Sequence, residues 1–372
     1  MEKNHCKFFQ YASTKDRVVP TDASQNTETA EHTPAPLEYL EKRFSFYPCL
    51  TQHDKTLYSL ALERLSNETL SLEKPPAAAK KAAPSKGDSG KQQKKLTLAR
   101  MVEAGIKIGT LPTVFHKIVD TVNSPFSSVQ DIAAIIATDT SLSAKLLRLV
   151  NSPFYGLPNR IDTIPRAVAL VGNGPLVMLT MGTVLVSAFS GIPSSLINMK
   201  EFWQHSISTG ACAKMLARHA ELEETESFFV AGLLHDIGRL IFFLEAPDSA
   251  FAVLSRSRQR GLPMRDIERE LLGFTHEEIG AELLKEWHCP PQLIDYVQNH
   301  HATISGKPMP YEVILPVADS IVSALGHGSS GEIFISPVSQ EAWETLRLEP
   351  GDLQGMAQSI EENLVGLSQM FC

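Results

Sequence analysis

From Leu96 onward one helical pattern follows another with almost no strand-like alternation, and that succession constrains the fold more than any other feature of the chain. Ile132, Ile135 and Ile136 recur at helical spacing behind a capping-box-like Ser127-Ser128-Val-Gln-Asp start. Thr138-Asp139 opens a helix carrying Leu142, Leu146, Leu147 and Val150, which Asn151-Ser-Pro153 ends. Ile164-Pro165 opens another, with Ala167, Val168, Leu170 and Val171 running to Gly172. Further helices are predicted over 176–189, 199–219, 225–246, 248–260, 264–271, 275–287, 290–300 and 310–325. Glu332-Ile-Phe-Ile335 is the one short stretch that reads as a strand. The pattern predicts an all-α body without a fixed-period repeat.

Composition marks the ends of that body. Residues 1–35 are polar and aperiodic, and the segment 1–74 is expected to be mostly disordered. Within it, Leu57, Leu60, Leu62, Leu65 and Leu70 line a possible short helix that docks on the main body. Residues 75–95 are rich in Pro, Ala, Gly and Lys and read as a flexible, solvated linker. The main domain is placed at 96–330, with a C-terminal tail over 331–372.

The net charge of -8 gives no global electrostatic case for nucleic acid or an anionic membrane. Five scattered cysteines without CxxC spacing argue against a disulfide framework or a zinc ribbon and suit a reducing compartment. No signal-peptide core is visible at the N-terminus, and no uninterrupted apolar run suggests a span. The expectation is a cytoplasmic protein with no membrane span and no nucleic-acid partner.

Chemistry concentrates at His235-Asp236, inside Ala-Gly-Leu-Leu-His-Asp-Ile-Gly-Arg-Leu-Ile (231–241), a run that otherwise reads as buried helix. An imidazole beside a carboxylate in apolar surroundings needs partners, either a metal or a closed hydrogen-bond network. Candidate ligands recur at helical positions elsewhere. Glu201 and His205 are four apart and share a helix face. His276 stands at a helix start, His300-His301 at a helix end, and Asp319 within Leu-Pro-Val-Ala-Asp-Ser. Histidine nitrogens with carboxylate oxygens suit iron, manganese or zinc, and two such ions can activate water for phosphoester hydrolysis. Trp203 and Trp287 are expected in the core beneath this site, His116, His219 and His288 in surface or packing roles, and Tyr155-Gly-Leu-Pro in a loop.

Residues ~107 to ~330 resemble the HDOD branch (HD-related output domain) of the HD superfamily of metal-dependent phosphohydrolases. The resemblance rests on Leu111-Pro112, Asn123-Ser-Pro-Phe-Ser-Ser128, Asp139-Thr-Ser-Leu-Ser-Ala-Lys-Leu-Leu-Arg-Leu-Val-Asn-Ser152, Phe202-Trp-Gln-His205-Ser206 and Gly232-Leu-Leu-His-Asp-Ile-Gly-Arg239. His276-Glu-Glu-Ile-Gly-Ala-Glu-Leu-Leu-Lys-Glu-Trp287, His300-His301 and Ala318-Asp319 complete it. It implies an all-helical HD-superfamily bundle with an N-terminal HDOD subdomain over 96–200 and an HD-like subdomain over 201–330. The tail after Gly326 resembles a helical extension of such proteins.

The resemblance implies a bacterial signal-transduction output or scaffold module, with a signalling protein as partner and a nucleotide as possible ligand. Its HD-like site implies a metal set of His205, His235, Asp236, His276, His300, His301 and Asp319, with Glu201 as an extra ligand. The alternative is a metal-dependent phosphohydrolase acting on a cyclic dinucleotide or a nucleotide, as the related HD-GYP phosphodiesterases do. There Asp236 would bridge two ions and Arg239 would neutralise phosphate. Against that alternative, the chain lacks the Gly-Tyr-Pro loop after His300-His301, carries Arg239 where those enzymes have lysine, and leaves 17 residues between His301 and Asp319.

Overall fold

A computed structural model describes residues 36–47, 51–66, 96–108, 113–123, 128–189, 192–302 and 306–371. The polar segment 1–35 and the linker 75–95 lie outside the described residues, as does much of the 123–128 stretch. Every regular element among the described residues is a helix. Two helices precede the linker, α1 (Pro36–Arg43) and α2 (Gln52–Ser66). The N-terminal part of the body comprises α3 (Leu98–Ile108), α4 (Thr113–Asn123), α5 (Val129–Ala137), α6 (Thr140–Val150), α7 (Ile164–Val171) and α8 (Asn173–Ala188). Around the His-Asp run come α9 (Met199–His219), α10 (Thr225–Leu234), α11 (Ile237–Glu245), α12 (Pro247–Arg260), α13 (Met264–Leu272), α14 (His276–Glu286), α15 (Pro291–Asn299) and α16 (Pro310–Leu325). The tail forms α17 (Gln340–Leu346) and α18 (Pro350–Phe371).

The helix boundaries follow local chemistry. Ser128 and Asp131 form a reciprocal capping box at α5, and Asp139 accepts from Leu142 N at 3.0 Å to start α6. Asn151 ends α6 and clamps the following loop. Its amide donates to Leu147 O (2.6 Å) and Ile161 O (2.7 Å) and accepts from Ile161 N (2.7 Å). The Leu-Val-Asn-Ser run therefore ends a helix and also fixes the loop that follows it.

The predicted helix 225–246 is broken at its chemistry. α10 stops at Leu234, His235 and Asp236 form a turn, and α11 restarts at Ile237. The Asp236 carboxylate caps no helix N–H; it turns toward neighbouring side chains. The expected strand over 332–335 is also absent. Ile333, Phe334 and Ile335 are buried in an extended cover segment, and Ile335 N–H donates to the Arg43 carbonyl at 2.9 Å. Three consecutive buried apolar residues make it a cover enclosed on both sides, with no ladder to join.

α9 is the central helix, buried along almost its whole length. α10 crosses it where two glycines meet: a Cβ on Gly232 would lie 2.5 Å from Gly210 Cα. Only glycine at both positions permits that approach. The apolar stretch Thr225–Glu245 is long enough to cross a membrane by composition, yet 89% of its window is buried inside the fold. Trp287 packs edge-on to Phe115 and near Phe189, at the border of the N-terminal helices rather than under the His-Asp site. Tyr155 is no free loop tip. Its hydroxyl donates to Glu226 Oε2 (2.9 Å), and its ring lies 3.7 Å from Lys214 Nζ, itself 2.5 Å from Glu226 Oε1. At the far end α18 packs on α9 and α2, and buried Trp343 stacks on His53 at 4.9 Å.

Candidate metal centre

Helix ends build the site. His235 and His300 each follow the last residue of a helix, and each Nδ1 donates to a carbonyl three residues back, Gly232 O and Val297 O, both at 2.7 Å. The imidazoles thereby satisfy carbonyls that a helix C-terminus leaves open. The same bonds fix the tautomer, with the Nε2 lone pairs facing inward. Both Nε2 atoms are buried and make no well-aligned hydrogen bond, facing only the carboxylate oxygens beside them. His276, at the first position of α14, has its Nδ1 2.7 Å from Glu268 Oε2 and 3.2 Å from Glu277 Oε2.

These rings surround Asp236. Its Oδ2 lies 3.2 Å from His235 Nε2, and its Oδ1 lies 3.2 Å from His276 Nε2 and 3.7 Å from His300 Nε2. Asp319, one wall away on α16, lies 3.1 Å from His205 Nε2 and 3.8 Å from His235 Nε2. Two ligand sets result, with ligand atoms within 4.8 Å of one another in each: Asp236, His276, His300 and His301, and His205, His235 and Asp236. Asp236 belongs to both. A third group is Glu268, His276 and Glu277.

Electrostatics follow from burial and pairing. Burial alone would raise the Asp319 carboxyl, but the His205 contact and nearby histidines hold it well below the usual carboxylate range. Asp236 is likewise held down, against burial, by Arg239 and His235. Burial and Arg239 act to lower His276, and Glu268 and Glu277 outweigh them, bringing it up to about 10. Burial and then neighbouring His300 push His301 well below the ordinary histidine value. The site thus pairs ionised carboxylates with imidazoles, and against its burial His235 too is raised by Asp236 and Asp319; once binding displaces their protons, the donor set suits iron, manganese or zinc. By that donor chemistry and the orphaned Nε2 atoms, the residues present fit a divalent metal.

Arg239 enters this cage as an internal cation. Its side chain is 1% exposed, with Nε 3.0 Å from Asp236 Oδ1, one terminal nitrogen 3.3 Å from His276 Nε2 and the other donating to Ser330 Oγ at 2.9 Å. The segment after α16 roofs the site. Gly328, at φ +71°, lets that segment lie against α9, where an added Cβ would sit 2.1 Å from Glu201 O. Ser329 N–H donates to the same carbonyl at 3.1 Å. The half-buried Glu332 carboxylate accepts from Met264 N (2.7 Å), Ile333 N and Phe334 N (both 2.9 Å). Beneath this roof is a cavity of about 330 Å³, lined by His205, Asp236, Arg239, His300, His301 and Asp319 among others.

Of the residues singled out by sequence, His205, His235, Asp236, Arg239, His276, His300, His301 and Asp319 converge here. Glu201 stands apart: its carboxylate accepts from Asn198 at 3.2 Å, and its contribution to the site is the carbonyl that holds the roof. His116, His219 and His288 lie outside the cage. Sequence reasoning missed Glu268, Glu277, Arg265 and Glu332. Glu277 follows His276 directly and Glu268 stands eight residues upstream on α13, so a search for carboxylates around each histidine would have raised both.

The HDOD domain family matches residues 108–303. An uncharacterized protein of Treponema pallidum is 29% identical over 195 residues, which are 52% of this chain and 37% of that protein; the chain thus spans little more than a third of this curated relative. Two crystal structures share the fold. A candidate phosphohydrolase from Shewanella amazonensis is 25% identical with a TM-score of 0.57, covering 74% of this chain and 98% of its own. An HDOD domain protein of unknown function from Geobacter sulfurreducens is 22% identical with a TM-score of 0.55, covering 73% and 97%. Since the match takes in more than half of the sequence, including α9 to α15 and most of the cage they carry, the chain belongs to the HDOD domain family.

Proposed function

We propose that this protein is a signal-transduction output module whose His/Asp cage holds a divalent transition metal and senses a small ligand without turning it over. One observation carries the reading: the buried Arg239 guanidinium already lies against Asp236 Oδ1 and His276 Nε2. It supplies positive charge where a second ion would compete for the same two atoms. The neutralising role is therefore filled in part by a fixed side chain that cannot generate a metal-bound hydroxide. When bound, a metal would be held by His205, His235, Asp236, His300 and Asp319 and would supply a Lewis-acidic centre for an anionic ligand. A signalling protein would read the state of the site through the roof segment or the N-terminal helices.

A second reading, metal-dependent hydrolysis of a cyclic dinucleotide or nucleotide, is favoured by the membership of Asp236 in both ligand sets. Hydrolysis assays with cyclic-di-GMP and nucleoside phosphates, on protein loaded with manganese or ferrous iron, separate the two. The sensing reading expects no turnover above metal-only controls. Turnover that Asp236→Ala abolishes would replace it with the hydrolytic one.

A further inference from the structure

The cavity has a wall that the family match does not include. Arg43, the last residue of α1, precedes residues 108–303 by a long stretch of chain, yet its side chain lines the same cavity as Asp236 and Asp319. It is 6% exposed. One terminal nitrogen donates to the carbonyl of Ser323, one turn along α16 from Asp319, and the guanidinium lies 5.7 Å from the Tyr39 ring centroid. Its Nε is buried with no acceptor. The other cavity arginines have acid partners: Arg239 lies 3.0 Å from Asp236, and Arg265 lies 3.0 Å from Glu277. Among the described residues, no carboxylate pairs with Arg43.

A buried guanidinium without a counter-charge is costly unless an anion completes it. The backbone holds it there regardless: the Arg43 carbonyl accepts from Ile335 N–H, and Tyr47 Oη lies 2.6 Å from Ser320 Oγ. We propose that Arg43 is the anion-binding arm of this cavity and that its ligand is a small phosphomonoester of mononucleotide size. The guanidinium fork matches phosphate oxygens in a bidentate manner, and the neighbouring cage offers a metal to the same group. The metal half of this argument rests on the function proposed above. A cavity of about 330 Å³ stands at the small end of ligand pockets, so it fits one nucleotide and not a cyclic dinucleotide.

The test uses the full chain in phosphate-free buffer, by calorimetry and thermal unfolding, with inorganic phosphate, GMP, guanosine and cyclic-di-GMP as probes. GMP binds, phosphate binds more weakly, and guanosine binds at least tenfold more weakly than GMP. Arg43→Met lowers GMP affinity at least tenfold with metal content unchanged, and its midpoint without ligand is no lower than that of the natural chain. Arg43→Lys keeps part of the affinity. Unchanged GMP affinity in Arg43→Met overturns the proposal, as does the absence of binding by both phosphate probes. A lowered midpoint with no change in binding makes Arg43 a structural tie and overturns it too. Cyclic-di-GMP binding tighter than GMP overturns the size assignment. Metal-free protein that still binds GMP through Arg43 overturns the metal reading alone, whereas metal-loaded protein whose GMP affinity ignores Arg43 overturns this one alone.

Discussion

Gly232→Ala probes the link between helix packing and the cage. The added Cβ would lie 2.5 Å from both Gly210 Cα and Gly210 N, and 2.7 Å from Thr209 C. Carbon contacts settle near ~3.5–4.0 Å, so α10 must retreat from α9 by roughly 1 Å. Overpacking of this kind costs about 1–3 kcal/mol. The gain in helix propensity from glycine to alanine offsets ~1 kcal/mol of it, which leaves a net loss of up to about 2 kcal/mol. The chemistry moves with the helix, because His235 Nδ1 is tied to the Gly232 carbonyl at 2.7 Å, while His205 stays on α9. Displacing a ligand through its supporting group typically weakens metal binding about 10–100-fold. Gly355→Ala is the control: it lies in α18, its Cβ would meet nothing within 4 Å, and it should gain ~0.5–1 kcal/mol. Urea unfolding and competition titration with zinc or manganese measure both effects. If Gly232→Ala matches the natural chain in urea midpoint and metal affinity, the close crossing does not position the cage and the reasoning fails.

Two further predictions concern buried charge. His327 is 4% exposed, and burial first, then Arg64 and His205, lower it to about 3. Its folded value lies below the ordinary one, so between pH ~6.5 and ~3 the unfolded chain takes up a proton that the folded chain refuses, and stability falls as pH falls. The full difference is on the order of 5 kcal/mol, and His327→Leu should flatten the acid limb; urea midpoints that stay parallel for the two proteins from pH 7 to 4.5 would refute this. Lys214→Met leaves Glu226 buried without its cation and should cost about 3–5 kcal/mol, with much of the loss recovered in Lys214→Met/Glu226→Gln. A double variant no more stable than the single one would contradict that assignment.

Much of this architecture could be read from periodicity and caps, because both are local. Ile132, Ile135 and Ile136 behind a Ser cap describe α5 without reference to any other part of the chain. The break at His235-Asp236 could not be read that way: the apolar pattern runs through it, and only side-chain bonds to Arg239 and His276 show why the Asp carboxylate leaves the helix axis. Glu332-Ile-Phe-Ile335 reads as a strand because a short continuous apolar run has the composition of a buried strand, and only the fold shows that no second strand pairs with it. Family motifs identified the histidines of the cage. They gave no hint of Arg43, which reaches the cavity from 280 residues away in sequence from its Ser323 partner. Nor did they show that Arg239, given a phosphate-neutralising role only in the hydrolytic alternative, lies against Asp236 and His276 within the cage.

The central claim is that Asp236 and its histidines hold a metal. Elemental analysis of the full chain, purified without chelator and compared with Asp236→Ala, tests it most directly. The account predicts about one iron, manganese or zinc ion or more per natural chain, lost from a variant whose circular dichroism remains helical. A natural chain that stays metal-free after incubation with each ion, with an unfolding midpoint indifferent to all three, would contradict it and leave a closed His/Asp/Arg hydrogen-bond network in its place.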